Sequence, residues 1–279
     1  MAQRFGPDEV RLRMTHSNSK TPLEPSLPRA KMIRLGRSLE VSQVCFGTEH
    51  ITHYAPGQGG RLLVDAADLY GVFFVDTDMV YGSHPQVAEA LRIGGRSRFV
   101  IATKTYAKTE KQAQKDLDRI CLELDPDYID IGLLHRVRPG EMEEHRPALD
   151  VLMKAKEKGI LRHVGLTTHS PDILRAASLL SEIEILYGTL NRDGSRLDSG
   201  TLADMHQALA EAHRLGKGTC VVKTLGRKDL VHDLKGAIEW VLQYHESIDA
   251  YCIGFSSLIE LREDLTIVND YFSGNAGIH

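Results

Sequence analysis

The chain has 279 residues, 42% of them hydrophobic and 26% charged, which is enough apolar material for one large core. Its 34 Lys plus Arg against 38 Asp plus Glu give a formal net charge of −4. With interspersed signs and no long basic run, that balance excludes nucleic acid and anionic membranes as expected partners.

Residues 1 to about 30 are polar and carry Pro7, Pro22, Pro25 and Pro28 without sustained periodicity. They read as a flexible or surface-draped extension, leaving residues 31–279 as a single domain. The beginning of the chain lacks the apolar core of a secretory signal, and no apolar run approaches the roughly 20 residues that span a bilayer. The expected location is the cytoplasm. From Met32, MIRLGRSLEVSQVCFGT reads as a short hairpin running into a strand over 41–47 that ends at Gly47.

Apolar runs then alternate with amphipathic segments. Strands are expected at 71–76, 98–104, 128–135, 161–167, 182–187, 218–224 and 249–254. Helices are expected near 60–70, 84–94, 109–124, 144–158, 171–180, 200–215, 233–245 and 257–272. Eight strands in strict alternation with eight helices require a parallel sheet with crossover helices. Repeats of this length and number fit a closed (β/α)8 TIM barrel, with the N-terminal hairpin capping its bottom, better than an open sheet. No GxGxxG follows a strand and no Walker loop occurs, so neither a Rossmann fingerprint nor a P-loop is present. Cys45, Cys121, Cys220 and Cys252 lie far apart with no CxxC pair, and read as inert thiols. No HxH or HExxH pair suggests a metal.

Three successive strands end in an ionisable residue. GVFFVDTDMVYG puts Asp76 at the barrel mouth and Tyr81 in the following loop; FVIATK ends in Lys104; IDIGLLH ends in His135. Singly, each has an ordinary structural explanation: an N-cap, a first exposed lysine, a rim histidine, a turn aromatic. On one rim, where barrels build their sites, they suggest proton transfer to a carbonyl. A free phenol, with a pKa of about 10, is a slow acid. A nearby ammonium favours its ionisation, a carboxylate orients that ammonium, and a histidine nitrogen donates to the carbonyl oxygen. Hydride must come from a cofactor.

These segments resemble the aldo-keto reductases from Met32 to Asn269. VDTDMVYGSHPQVAEAL resembles the segment carrying the family's Asp and Tyr, IATKT its lysine, IGLLHRV its histidine, and GILRHVGLTTHSPDIL its Gly-x-Ser-Asn stretch. AIEWVLQYHESIDAYCIGFSSLIELREDL resembles the segment that embraces the adenosine phosphate. The resemblance implies NAD(P)H-dependent reduction of an aldehyde or ketone, or the reverse. It places Asp76, Tyr81, Lys104 and His135 in catalysis. Cofactor contacts are implied at Gly47, Thr48, Asp76, Thr167, Thr168, Glu184, Val222, Lys223, Leu225, Ser256, Ser257 and Arg262.

Thr167-Thr168 replaces the usual Ser-Asn, Glu184 the usual Gln, and Val222 the stacking aromatic. Arg262 is the one cation near the expected 2′-phosphate, so NADPH is expected and NADH allowed. His50, Tyr81, Tyr106 and His135 are expected to line a pocket for a small carbonyl substrate; the oligomeric state is open. Two other functions remain: a non-catalytic nucleotide-sensing barrel, motivated by Thr168 and Glu184, and a Schiff-base aldolase using Lys104 or Lys223.

Overall fold

The computed structural model describes residues 26–275. Most of the expected extension, residues 1–25, lies outside the described residues. The last part of it runs along the first long helix, where Arg29 donates to the carbonyls of Asp68 and Leu69 and Ala30 N–H donates to Tyr70 O.

Strands β1 (Met32–Leu35) and β2 (Leu39–Ser42) form an antiparallel hairpin. The strand expected at 41–47 is therefore two elements, because residue 43 breaks it. The barrel begins at β3 (Val44–Gly47) and continues through β4 (Phe74–Asp76), β5 (Val100–Thr105) and β6 (Ile129–Leu134). It is completed by β7 (Leu161–Thr168), β8 (Ile185–Thr189), β9 (Gly218–Val222) and β10 (Ala250–Gly254). All neighbouring pairs are parallel, and β10 pairs with both β9 and β3, so the sheet closes. The (β/α)8 barrel with its hairpin is as expected.

Helices α1 (Pro56–Tyr70), α2 (His84–Gly94), α3 (Glu110–Leu124) and α4 (Arg146–Glu157) follow the first four barrel strands. Helices α5 (Pro171–Ser178), α6 (Leu202–Arg214), α7 (Leu234–Leu242) and α8 (Leu258–Asn275) follow the rest. Their starts are encoded locally. Thr201 caps α6 by accepting from Asp204 N–H while Asp204 accepts in return, and Thr109 accepts from Gln112 N–H at α3.

Side chains alternate between two cores. Inward-facing Cys45, Phe74, Ile131, Tyr187 and Cys220 fill the barrel, joined from below by Leu35 and Val41 of the hairpin. Outward-facing residues such as Phe46, Val75, Ile101 and Leu166 pack against the helices. The hairpin closes the N-terminal end, with Gly36 N–H donating to Asp249 Oδ2 at 3.3 Å. The C-terminal end stays open. The four cysteines are free thiols, and burial pushes Cys45 and Cys220 well up, as expected of inert groups. No helix among the described residues is long and apolar enough to cross a membrane.

Candidate active site

The residues singled out at the strand ends do converge. Asp76 closes β4 and is 2% exposed; Lys104, near the end of β5, is 3% exposed. Lys104 Nζ donates to Asp76 Oδ1 at 2.6 Å and to Thr77 O at 2.9 Å. Tyr81 sits in the loop before α2, where Asp78 accepts from the backbone of Val80 and Tyr81. Gly82 takes φ +76°, which lets the chain turn immediately behind the tyrosine. The Lys104 ammonium lies 5.0 Å from the centre of the Tyr81 ring. His135 follows β6, pinned by its N–H donating to Thr105 O at 2.7 Å. All four line one cavity of about 520 Å³ at the barrel mouth, within the usual size range of ligand sites.

The electrostatics assign each group a state. Burial opposes the charge on Lys104, but attraction and a hydrogen bond from Asp76, with Asp78 adding to it, outweigh that cost and hold the amine protonated. Burial pushes the Asp76 carboxyl up while Lys104 pulls it down; its Oδ2 has no partner. The expectation that Lys104 lowers the Tyr81 pKa is met in direction only. Burial raises the phenol by more than Lys104 lowers it, and Asp76 and Asp78 add to the rise. The isolated protein therefore keeps Tyr81 as a firmly protonated O–H. His135 is pushed down to about 2 by burial and then by Lys104, so it is a neutral imidazole. Its Nδ1 is hydrogen-bonded to Thr167 Oγ1, and its ring packs edge-on to Tyr106 at 4.7 Å.

Of the remaining expected contacts, Gly47, Thr167, Val222, Lys223, Leu225, Ser256 and His50 also line this cavity. Tyr106 lines an adjoining one of about 620 Å³ that shares Tyr81 and His135, and its hydroxyl donates to Asp78 Oδ2. Five are placed elsewhere. Thr48 is buried beside the cavity and donates to Asp76 O, steadying that strand end. Thr168 is fully buried, donating to Val137 O and accepting from Ser170 N–H. Ser257 accepts from Glu260 N–H and so caps α8. Arg262 is exposed and does not reach the cavity wall.

Glu184 is the clearest correction. It precedes β8 at the closed end of the barrel, paired with Lys156 and with His163 at 3.1 Å. The strand begins at Ile185, three residues later than expected, so the inward residue nearer the mouth is Tyr187.

Several lining residues were not singled out: Glu49, His169, Thr224, Arg227 and Lys228, and on α8 Glu260, Glu263 and Asp264. His169 Nδ1–H donates to Arg196 O at 2.7 Å, and burial with Arg136 pushes its pKa down to about 4. The β9–α7 loop is unusual in backbone as well as charge. Lys223, Arg227 and Lys228 all have positive φ, at 65°, 61° and 86°. Strain of this kind gathers at ligand clamps, and the three cations face the cavity together. Among the described residues there is no group of His, Cys, Asp and Glu fit to hold a metal.

An eight-stranded barrel whose mouth gathers an aspartate, a lysine, a tyrosine and a histidine defines a recognisable class. The model of the aldo/keto reductase family matches residues 43–192, and the chain belongs to that family. A probable aldo-keto reductase from Glycine max is 30% identical over 183 residues, 58% of this chain and 52% of that protein. A methylglyoxal reductase from Salmonella typhi is 25% identical over 107 residues, 37% of this chain and 40% of its own length. The chain thus matches about half the length of these curated relatives or less. Among solved structures, a putative aldo-keto reductase from Pseudomonas aeruginosa superposes with a TM-score of 0.74 at 20% identity, covering 89% of this chain and 98% of that one. The aldo-keto reductase AKR11C1 from Bacillus halodurans gives 0.70 at 18% identity, covering 86% and 91%.

Proposed function

We propose that the chain is an oxidoreductase that interconverts a carbonyl and an alcohol using a nicotinamide dinucleotide, with Tyr81 as the acid. The observation that carries this reading is the buried chain of contacts from Asp76 through Lys104 to the face of Tyr81, opening on the same cavity as neutral His135.

The cavity suits such a dinucleotide. Lys223, Arg227 and Lys228 supply positive charge from one loop for a pyrophosphate, while Val222, Leu225, Val231 and Leu234 supply apolar wall for rings. When bound, the nicotinamide supplies the hydride. The protein's own residues handle the proton. Tyr81 holds it until negative charge develops on the carbonyl oxygen, and Lys104 lowers the cost of the phenolate left behind. Asp76 keeps Lys104 charged and in place. Thr167, donating to Nδ1 of His135, leaves Nε2 as the protonated nitrogen that points a hydrogen bond at the same oxygen. The neutrality of His135 means this donor orients the carbonyl without competing as the acid.

The same geometry disfavours a Schiff-base role for Lys104, whose amine is buried, ion-paired and held protonated. The nucleotide-sensing reading retains one observation, the withdrawal of Thr168 and Glu184 from the cavity. Turnover decides between them. NADH and NADPH oxidation is followed with 4-nitrobenzaldehyde and small dicarbonyls, for the parent and Tyr81→Phe. Turnover lost in the variant with dinucleotide binding retained supports the reductase. Binding without turnover of any carbonyl by the parent supports the sensor.

A further inference from the structure

The expectation of NADPH rests on Arg262, and that exposed side chain does not line the cavity. What α8 presents there instead is acidic. Glu260, Glu263 and Asp264 share one helix face, at the i, i+3 and i+4 positions, and all three line the cavity. Glu260 is partly engaged, accepting from Ser256 N–H. Asp264 is not. It is 3% exposed, and among the described residues its carboxyl takes no hydrogen bond and no ion pair. Burial first, then Glu263 and Glu260, raise it to about 7, with no cation or donor to offset them.

A carboxylate buried without a donor is costly. Asp264 lines the cavity, so a ligand that brings a donor finds a free acceptor there, and one that brings negative charge meets three acidic side chains. A ribose hydroxyl or an adenine amine is such a donor. A 2′-phosphate adds close to two negative charges beside three carboxyls. The chemistry is the one that Rossmann-type sites use on a different fold, where an acidic side chain accepts from the ribose 2′-hydroxyl and an arginine accommodates the 2′-phosphate.

We propose that Asp264, with Glu263 and Glu260, makes this chain select the dinucleotide with a free ribose 2′-hydroxyl, NADH, over NADPH. Asp264 accepts a hydrogen bond from the adenosine end, and the two glutamates set the sign of the local field. The proposal rests on the dinucleotide reading above and adds the identity of the adenosine-end contacts. It also assigns the loop cations a different place. Arg227 is tied to Glu49 at 3.1 Å and Lys223 lies 3.8 Å from it, which leaves these cations on the β9 loop, for the pyrophosphate.

Calorimetric titration of the full chain with NADH and with NADPH, without carbonyl substrate and at pH 8 where Asp264 is ionised, tests it. The expected result is NADH binding about tenfold or more tightly. Asp264→Asn and Glu263→Lys should each narrow that gap, mainly by tightening NADPH. Glu263 is exposed, so its variant should fold, and melting curves check both. NADPH bound as tightly as NADH, or more tightly, by the parent overturns the proposal while leaving the dinucleotide reading intact. A preference for NADH untouched by both variants also overturns it. So does a Lys228→Ala variant that loses NADPH alone, because a 2′-phosphate would then sit on the loop. If neither dinucleotide binds, the underlying reading fails as well.

Discussion

The two ends of the barrel use buried charge in opposite ways. At the closed end, the buried carboxylates Asp130 and Asp249 are both satisfied by donors. Asp130 accepts from Arg96 at 2.5 Å, from Ile101 N–H at 2.8 Å and from Arg162 at 3.4 Å. The two guanidinium groups also lie over the Tyr128 ring, 4.0 and 3.4 Å from its centre. Asp249 accepts from Thr219 N–H at 2.9 Å and from Gly36 N–H at 3.3 Å, fastening hairpin to barrel. At the open end, Asp76 Oδ2 is orphaned and the Asp264 carboxyl faces a cavity. A satisfied network fixes a structure, and an unsatisfied one leaves capacity for a ligand.

Breaking the open end should cost chemistry and spare stability. Tyr81→Phe is expected to lower kcat by about 10²- to 10⁴-fold, with dinucleotide affinity and melting temperature nearly unchanged. Breaking the closed end should do the reverse. Asp130→Ala takes the counter-charge from Arg96, whose side chain is 9% exposed and keeps only its bonds to the Tyr128 and Phe99 carbonyls, and is expected to cost about 3–5 kcal/mol in denaturant unfolding. The kcat/KM of the protein that remains folded should stay at the parent's value. If Asp130→Ala slowed turnover of folded protein tenfold, the separation of the two ends would be false.

A subtler test concerns His135. Because burial holds it near 2, it should contribute no inflection to the kcat/KM profile between pH 5 and 8. His135→Gln should lower the whole curve without moving its limbs. A limb near 6.5 that vanishes in this variant would show a titrating histidine and a different proton route.

How much of this is legible in the sequence depends on what each signal encodes. Alternation of apolar runs identifies every strand and helix of the barrel, since period and order survive errors of a few residues. The tetrad is legible for the same reason, because a polar residue ending an apolar run is visible wherever the run begins. Glu184 is not. In EIEILY the alternation permits a start at 182 or at 185, and that shift of three residues moves a side chain from the mouth to the base. Arg262 fails through helix rotation. Two serines and an arginine suggested a phosphate site, but 262 lies off the face shared by 260, 263 and 264. The helical period applied to SSLIELRED would have turned the carboxylates inward. Thr168 was misplaced because whether a strand-end hydroxyl serves a ligand or its own backbone depends on the neighbouring loop.

The smallest expected effect sharpens the corrected position of Glu184. Burial would raise its carboxyl, but His163 and Lys156 overcome that and pull it down to about 2 from a usual 4.5. A depressed folded pKa stabilises the native state above the unfolded value and loses that contribution as pH falls. The stability should therefore be fully present above pH 4.5 and decline from there through about 2. The side chain is 31% exposed, so solvent screening limits the contribution to about 1 kcal/mol or less. Glu184→Gln should accordingly melt slightly earlier than the parent at pH 7, and the two should converge toward pH 2. Dinucleotide affinity should not change, because the pair lies at the sealed end of the barrel. Weakened dinucleotide binding with an unaltered melting curve would return Glu184 to the mouth and undo the correction.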